Sequence, residues 1–225
     1  MDPLAVRQAQ AVVNHLKFTA AMYQKIKEMI STITSRQHLS EERRSALNPL
    51  IQFIQDKVDR GQPVNLNFIC THNSRRSHLS QLWAQVAASF HHTPVVNCYS
   101  GGTEETALFP KIAETLVSQG FEVFKIADTD NPIYAIKYGD NDPPVIGFSK
   151  KYDSPFNPIS GFAAIMTCSQ ADGGCPFIPG AEKRIPITFE DPKISDGTPE
   201  QTAVYAERSL EIAAEMCYVF SNIKI

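Results

Sequence analysis

The chain has 225 residues, 43% of them hydrophobic and 20% charged, which is enough for one well-filled core with an appended helical piece. A formal charge of −3 gives no general attraction to nucleic acid, and no run approaches the roughly 20 apolar residues of a membrane span, so a soluble cytoplasmic protein is expected. Five cysteines without dense spacing fit a reducing compartment, where thiols serve packing or chemistry rather than cross-linking.

Taken in chain order, residues 1–60 lack glycine, and their apolar positions recur at helical spacing: Val12, Leu16, Met22, Ile26, Met29 or Ile30, and Ile33. They predict a long first helix. Ser40 followed by Glu41 and Glu42 marks another helix start. Asn48 and Pro49 read as an N-cap and N1 pair opening a short helix with Leu50, Ile51, Ile54 and Val58 on one face and Gly61 at its end. Residues 1–61 are thus expected to form an N-terminal helical extension that stabilises the main domain or serves as a dimer or partner surface.

From residue 64 the texture changes. Strands are predicted at 64–69, 94–100, 161–168 and 183–189, and helices at 77–90, 110–120 and 198–220. This alternation predicts an α/β domain over residues 62–225, built on a four-stranded parallel sheet with helices on both faces. Between the second helix and the third strand, residues 121–148 carry two turn clusters flanking alternating residues and read as an inserted β-hairpin or small meander. There is no internal repeat.

The chemistry concentrates where the first strand ends. In CTHNSRRSH, Cys70 closes an apolar run, and a helix begins near Ser77. A strand turning this directly into a helix aims the loop's backbone N–H groups at one spot, which makes it an anion site. The helix dipole and Arg76 would favour a thiolate at Cys70. Arg76 can return over the loop to grip two oxygens of a tetrahedral oxyanion, Ser77 can donate to the sulfur, and Asn73 tolerates the left-handed conformation that a tight loop needs. Thr71, His72, Asn73, Ser74, Arg75 and Ser77 are the candidate substrate-binding residues around the nucleophile.

CTHNSRRSH, together with the later SGGT and EDP, resembles the low-molecular-weight protein tyrosine phosphatase superfamily, which includes the thioredoxin-coupled arsenate reductases. The resemblance runs over about residues 64–221 apart from the insertion. It implies that Asp191, before Pro192 and after the last strand, is the general acid for the leaving oxygen. It also implies a role for CSQADGGCP: in the reductases that this stretch resembles, Cys168 and Cys175 complete a redox relay. Cys168 would attack the arseno-cysteine at Cys70 and release arsenite. Cys175 would then take over, leaving a Cys168–Cys175 disulfide for a thioredoxin-like reductant, with Gly173 and Gly174 giving the segment freedom.

Other residues are expected to be structural. The spacing of Cys168 and Cys175 is not that of a short zinc-binding pair and no histidine follows nearby, so neither metal nor cofactor is expected. Cys98 reads as core filling, Cys217 shares a helical stripe with Leu210, Ala213 and Phe220, and His91 and His92 close a helix. Arg75 stands where many of the reductases have cysteine or alanine, and Gln81 where some relatives have glutamate. KIS follows Asp191-Pro192 in place of the tyrosines of a phosphotyrosine pocket. Arsenate reduction is therefore the expected activity. Hydrolysis of phosphotyrosine or a small phosphoester through a phosphocysteine is the alternative, and a non-enzymatic oxyanion or redox sensor the third.

Overall fold

The computed structural model describes residues 22–36, 39–174 and 177–225. Its centre is a four-stranded sheet of β1 (Val64–Cys70), β2 (Val96–Gly102), β6 (Phe162–Met166) and β7 (Ala181–Pro186), in the order β2-β1-β6-β7 and parallel throughout. β1 and β6 are buried almost end to end, as their unbroken apolar runs require of inner parallel strands.

The two faces of the sheet are covered unequally. Leu66, Phe68, Ala163, Ile165 and Ile185 point to a large core shared with α1 (Gln24–Arg36), α2 (Glu41–Asp59), α3 (Arg76–Phe90), α4 (Pro110–Ser118) and α6 (Gln201–Ser221). Ile69, Phe162, Ala164 and Met166 point the other way into a smaller cluster, closed by Ala171 of the six-residue α5 (Ser169–Gly174) and by Ile178 and Tyr152.

The N-terminal helices differ from expectation in one respect. Asn48 and Pro49 open no separate helix, because α2 is a single helix of 19 residues with Pro49 inside it. Ser40 is its cap and accepts from the Arg43 N–H at 3.2 Å. A proline this deep removes one intrahelical bond and is worth about 3 kcal/mol against the helix. Burial of Leu47, Leu50, Phe53 and Ile54 on one face offsets that cost. In α1, Ile26 and Ile30 are fully buried, whereas Val12 and Leu16 lie outside the described residues. The bidentate Arg43–Glu215 pair, 2.6 Å at both contacts, fastens α2 to α6.

The insertion is a three-stranded antiparallel sheet of β3 (Glu122–Ala127), β4 (Ile133–Lys137) and β5 (Val145–Gly147), a meander rather than a lone hairpin. Tyr134, Ile136, Tyr138 and Val145 attach it to the main core. Among the described residues no helix is long and apolar enough to cross a membrane, and no group of three or more His, Cys, Asp or Glu is placed to hold a metal ion.

β1 has β2 on one side and β6 on the other, and the chain visits them in opposite directions. The carboxyl end of β1 is therefore a topological switch point, where open α/β sheets form a crevice for ligands. Cys70 is the last residue of that strand.

Candidate active site

Residues 71–75 run from β1 to α3 without regular structure, and every carbonyl from Cys70 to Arg75 has a donor. Cys70 O accepts from Thr103 N at 3.1 Å, Thr71 O from Glu104 N at 2.8 Å, Ser74 O from Phe109 N and Arg75 O from Leu79 N, both at 3.1 Å. His72 O accepts from the Thr106 and Ser149 hydroxyls, both at 3.0 Å, and Asn73 O pairs with His78 Nε2 at 2.8 Å. Turning six consecutive carbonyls toward partners leaves the intervening N–H groups on the opposite, concave side of the loop. Among the described residues no acceptor is recorded for the N–H groups of residues 71–75. This is the arrangement of an anion nest at a helix N-terminus.

Asn73 holds the bend with φ at 42°, in the left-handed region that asparagine tolerates. Its side-chain amide spans the loop, with Oδ1 accepting from Lys150 N at 2.9 Å and Nδ2 donating to Ser77 Oγ at 2.8 Å. Ser77 Oγ lies 3.1 Å from Cys70 Sγ, so the hydroxyl proton is free to point at sulfur. Gly102 packs directly behind: a Cβ there would lie 2.4 Å from Glu104 O, 2.7 Å from Thr71 O and 2.8 Å from Asn73 N. The second glycine of SGGT is thus required by the close approach of two backbones.

The arginines part company. Arg76 stays at the mouth, donating from Nη1 to Phe189 O at 2.9 Å and from Nη2 to Asp191 Oδ2 at 2.6 Å. Asp191 also caps the 3₁₀ turn Pro192–Ser195 by accepting from Lys193 N at 3.1 Å. The expected general acid and the expected oxyanion clamp are therefore ion-paired with each other. A cavity of about 410 Å³ beside them is lined by Arg76, Asp191, Phe189, Gln170 and, from α2, Arg43.

Arg75 does not take the expected place beside the substrate. Its guanidinium stacks 4.0 Å from the Phe109 ring centre, and it donates to Tyr205 Oη and Asp196 Oδ2, both at 2.6 Å. The side chain neither faces solvent nor reaches the nest; it ties the loop to α6. Burial alone would raise the Asp196 carboxyl, but hydrogen bonds from Tyr205 and Gln201, with the charge and hydrogen bond of Arg75, hold it below the ordinary carboxylate range. The Thr71, His72 and Ser74 side chains meet Gln170, Glu104 and the Ala107 carbonyl respectively.

Cys168 follows the end of β6, the strand beside β1, and is buried. Its Sγ lies 3.5 Å from Thr71 Oγ1 and accepts from Ala171 N at 3.3 Å. Cys175 lies outside the described residues. Gly173 and Gly174 are the end of α5 rather than a free linker, and Asp172 beside them is ion-paired with Arg184. Cys98 and Cys217 are core thiols; burial raises both, Cys217 to about 12. Within the Cys217 stripe Ala213 and Phe220 are buried, but Leu210 is partly exposed.

Three residues beneath the loop escaped sequence reasoning. His78, Ser100 and Lys150 are all buried and hydrogen-bonded to one another or to Asn73. A lysine in FSKKYD and a histidine in a helix's first turn read as surface residues, and no local pattern separates them from ordinary ones. Arg43 was missed too, because its nearness to Arg76 depends on how α2 docks.

No protein-family model matches the sequence, and no curated protein sequence does. Solved structures similar to this chain include a low-molecular-weight phosphotyrosine phosphatase from Vibrio cholerae O395, at 11% identity and TM-score 0.48 over 70% of this chain and 94% of that one. An arsenate reductase from Archaeoglobus fulgidus is similar at 14% identity and TM-score 0.45, over 69% of this chain and 98% of that one. An arginine phosphatase from Geobacillus stearothermophilus is similar at 14% identity and TM-score 0.44, over 71% and 92%.

Proposed function

We propose that this chain is an arsenate reductase, with an N-terminal extension over residues 1–61 and a catalytic domain over residues 62–225. The observation that carries the reading is the loop of residues 70–75, with its carbonyls turned outward around a cysteine and a second cysteine following the adjacent strand. In the first step the Cys70 thiolate attacks arsenic and an As–O bond breaks; Asp191, which takes up a proton when the oxyanion displaces it from Arg76, passes that proton to the departing oxygen, which leaves as water. The nest N–H groups and Arg76 bear the oxyanion's charge.

In the second step the Cys168 thiolate attacks Cys70 sulfur. The S–As bonding pair passes to arsenic, which leaves as arsenite, and a Cys70–Cys168 disulfide forms. Cys175 then attacks Cys168 sulfur, freeing Cys70, and an external thioredoxin-like dithiol reduces the Cys168–Cys175 bond. Dependence on such a donor agrees with a reducing, cytoplasmic setting.

Phosphoester hydrolysis is the second reading. It is favoured by the burial of Cys168 and the helical state of residues 169–174, since attack of Cys70 on phosphorus and of water on the phosphocysteine needs neither to change. One experiment separates the two. Turnover of arsenate with a dithiol and of an aryl phosphate is measured in the parent, Cys70→Ser, Cys168→Ser and Cys175→Ser. Cys70→Ser is expected to lose both activities. Cys168→Ser should lose multiple-turnover reduction and keep hydrolysis, and Cys175→Ser should accumulate a Cys70–Cys168 disulfide visible by peptide mass spectrometry. Parent-like arsenate reduction in both Cys168→Ser and Cys175→Ser would replace the reductase reading by the phosphatase one.

A further inference from the structure

A second cavity, of about 470 Å³, lies along the outer edge of β2 and shares no described lining residue with the cavity at Arg76 and Asp191. Its lining comes from α3, from β2 and from the segment leading into β5. The size is that of a small-molecule site, and Val96, Pro143, Pro144, Val145, Ile146 and Phe156 make much of the surface apolar. Val95 lines it as well, exposed and with φ at 50°, a left-handed conformation that is strained for a β-branched residue. That strain keeps an apolar side chain at the cavity where glycine or asparagine would be the relaxed choice.

The backbone of β2 asks little of a ligand here. Gln85 stands in for a peptide group: its Oε1 accepts from Cys98 N and its Nε2 donates to Val96 O, both at 3.1 Å, while Gln81 Nε2 donates to Cys98 O at 3.0 Å. A peptide adding to this edge as a strand would have to displace these amides. Two other atoms of the lining are left without partners among the described residues. Thr93 is 8% exposed, and its buried Oγ1 is unpaired. Asp142 accepts from Ser89 Oγ at 3.3 Å through Oδ1, but its buried Oδ2 is unpaired. Among the described residues Asp142 is also the one charged group in the lining, and it forms no ion pair. The Tyr138 phenol of the same lining is raised by burial first and by the Asp142 charge second, as a carboxylate without a neutralising cation would do. A buried carboxylate oxygen with no donor is costly, and a positively charged donor removes that cost.

We propose that this cavity is a second binding site, for a small organic molecule that carries a primary ammonium group on a compact apolar body, with the ammonium on Asp142 Oδ2 and the body against Val96, Val145, Ile146 and Phe156. One free carboxylate oxygen suits the point charge of an ammonium, whereas a guanidinium prefers two oxygens in a fork, and Ser89 already holds the other. Oδ2 is shielded from water, and a small turn of the half-buried Asp142 side chain brings it to the ligand. Thr93 Oγ1 is a further acceptor in the same lining. An anionic ligand would meet Asp142 with no cation of the described lining to offset it. The site stands apart from the reading of Cys70 and does not depend on it.

The test titrates the whole chain with benzylamine at neutral pH, where the amine is charged, and follows the amide NMR signals of residues 93–98 and 142–146. Saturable shifts of these signals are expected, with a dissociation constant of about 1 mM, the range for a ligand of so few atoms. Benzyl alcohol has the same shape and no charge, and should bind at least about tenfold more weakly, the loss expected for one charge-assisted hydrogen bond. Asp142→Asn keeps the side-chain size and an acceptor for Ser89, and should weaken benzylamine by the same factor. No saturation by about 10 mM benzylamine would mean that water alone satisfies Asp142, and overturns the proposal. Equal binding of benzyl alcohol, parent-like binding by Asp142→Asn, or shifts confined to the surroundings of Asp191 and Arg76 overturns it as well. Should Asp142→Asn fail to fold, the comparison of the two probes on the parent chain decides alone.

Discussion

Replacing Asp191 by asparagine should move binding and chemistry in opposite directions. The Asp191 carboxylate holds Arg76 Nη2 at 2.6 Å, so an incoming oxyanion that uses this edge of the guanidinium must compete with it. Asp191 is 36% exposed at its side chain, so solvent screens the pair and its worth is about 1 kcal/mol rather than that of a buried bridge. Asparagine removes the charge but keeps an oxygen for the Lys193 N–H, so the 3₁₀ turn survives. Freed of its competitor, Arg76 should bind sulfate, phosphate or arsenate about fivefold more tightly, the equivalent of about 1 kcal/mol. Loss of the proton donor should slow the first chemical step on the order of 10²- to 10⁴-fold. Protection of Cys70 from alkylation by graded oxyanion gives the affinity, and single-turnover kinetics give the rate. Weaker oxyanion protection in Asp191→Asn, or a rate within twofold of the parent, would refute the assignment of Asp191 as an acid tethered to the clamp.

Two further substitutions probe what holds the site in place. Gly102→Ala puts a methyl group within 3.0 Å of three backbone atoms of the loop and its neighbour, so activity should fall by about 10²-fold through misplacement of the loop, with about 1–3 kcal/mol of stability lost in thermal unfolding. Arg43→Ala leaves Glu215, only 1% exposed, buried without its partner; about 3 kcal/mol should be lost, read as a lower denaturant midpoint.

The parallel sheet was legible because its inner strands are short, continuous apolar runs separated by helical periods, and the candidate site because a cysteine between such a strand and a helix has few structural uses. What stayed hidden depends on partners remote in sequence. Pro49 looked like a helix start because a local propensity was read without the core that α2 covers. Arg75 and Arg76 are neighbours of the same type, and only the positions of Asp196, Tyr205 and Asp191, more than a hundred residues away, send one outward and the other to the mouth. Lys150 illustrates the same limit more sharply: its chemistry comes from burial, and burial is a property of the whole fold.

The same topology bears on the order of events in the proposed relay. Ile69 pairs with Met166, and Thr167 N donates to Ile69 O at 2.7 Å, so Cys70 and Cys168 lie one and two residues beyond the last paired residues of adjacent parallel strands. Adjacent strands lie about 4.8 Å apart, inside the range of about 4.4 to 6.8 Å that disulfide-linked Cα atoms span. The first exchange therefore asks for side-chain rotation more than for backbone travel. The second asks for more, because the segment leading to Cys175 is helical and is held by the Asp172–Arg184 pair and by the Ala171 N–H on Cys168 sulfur. Once Cys168 sulfur is in a disulfide it is a poorer acceptor than a thiolate, so the first exchange weakens one of the two ties on α5. Among the described residues, apart from chain neighbours and α5's own backbone, nothing lies within 4 Å of where a Cβ at Gly173 or Gly174 would be, which leaves their backbones room to turn. In the proposed relay, formation of the Cys70–Cys168 bond would thus be the event that releases α5, and opening of α5 would follow arsenite formation rather than precede it.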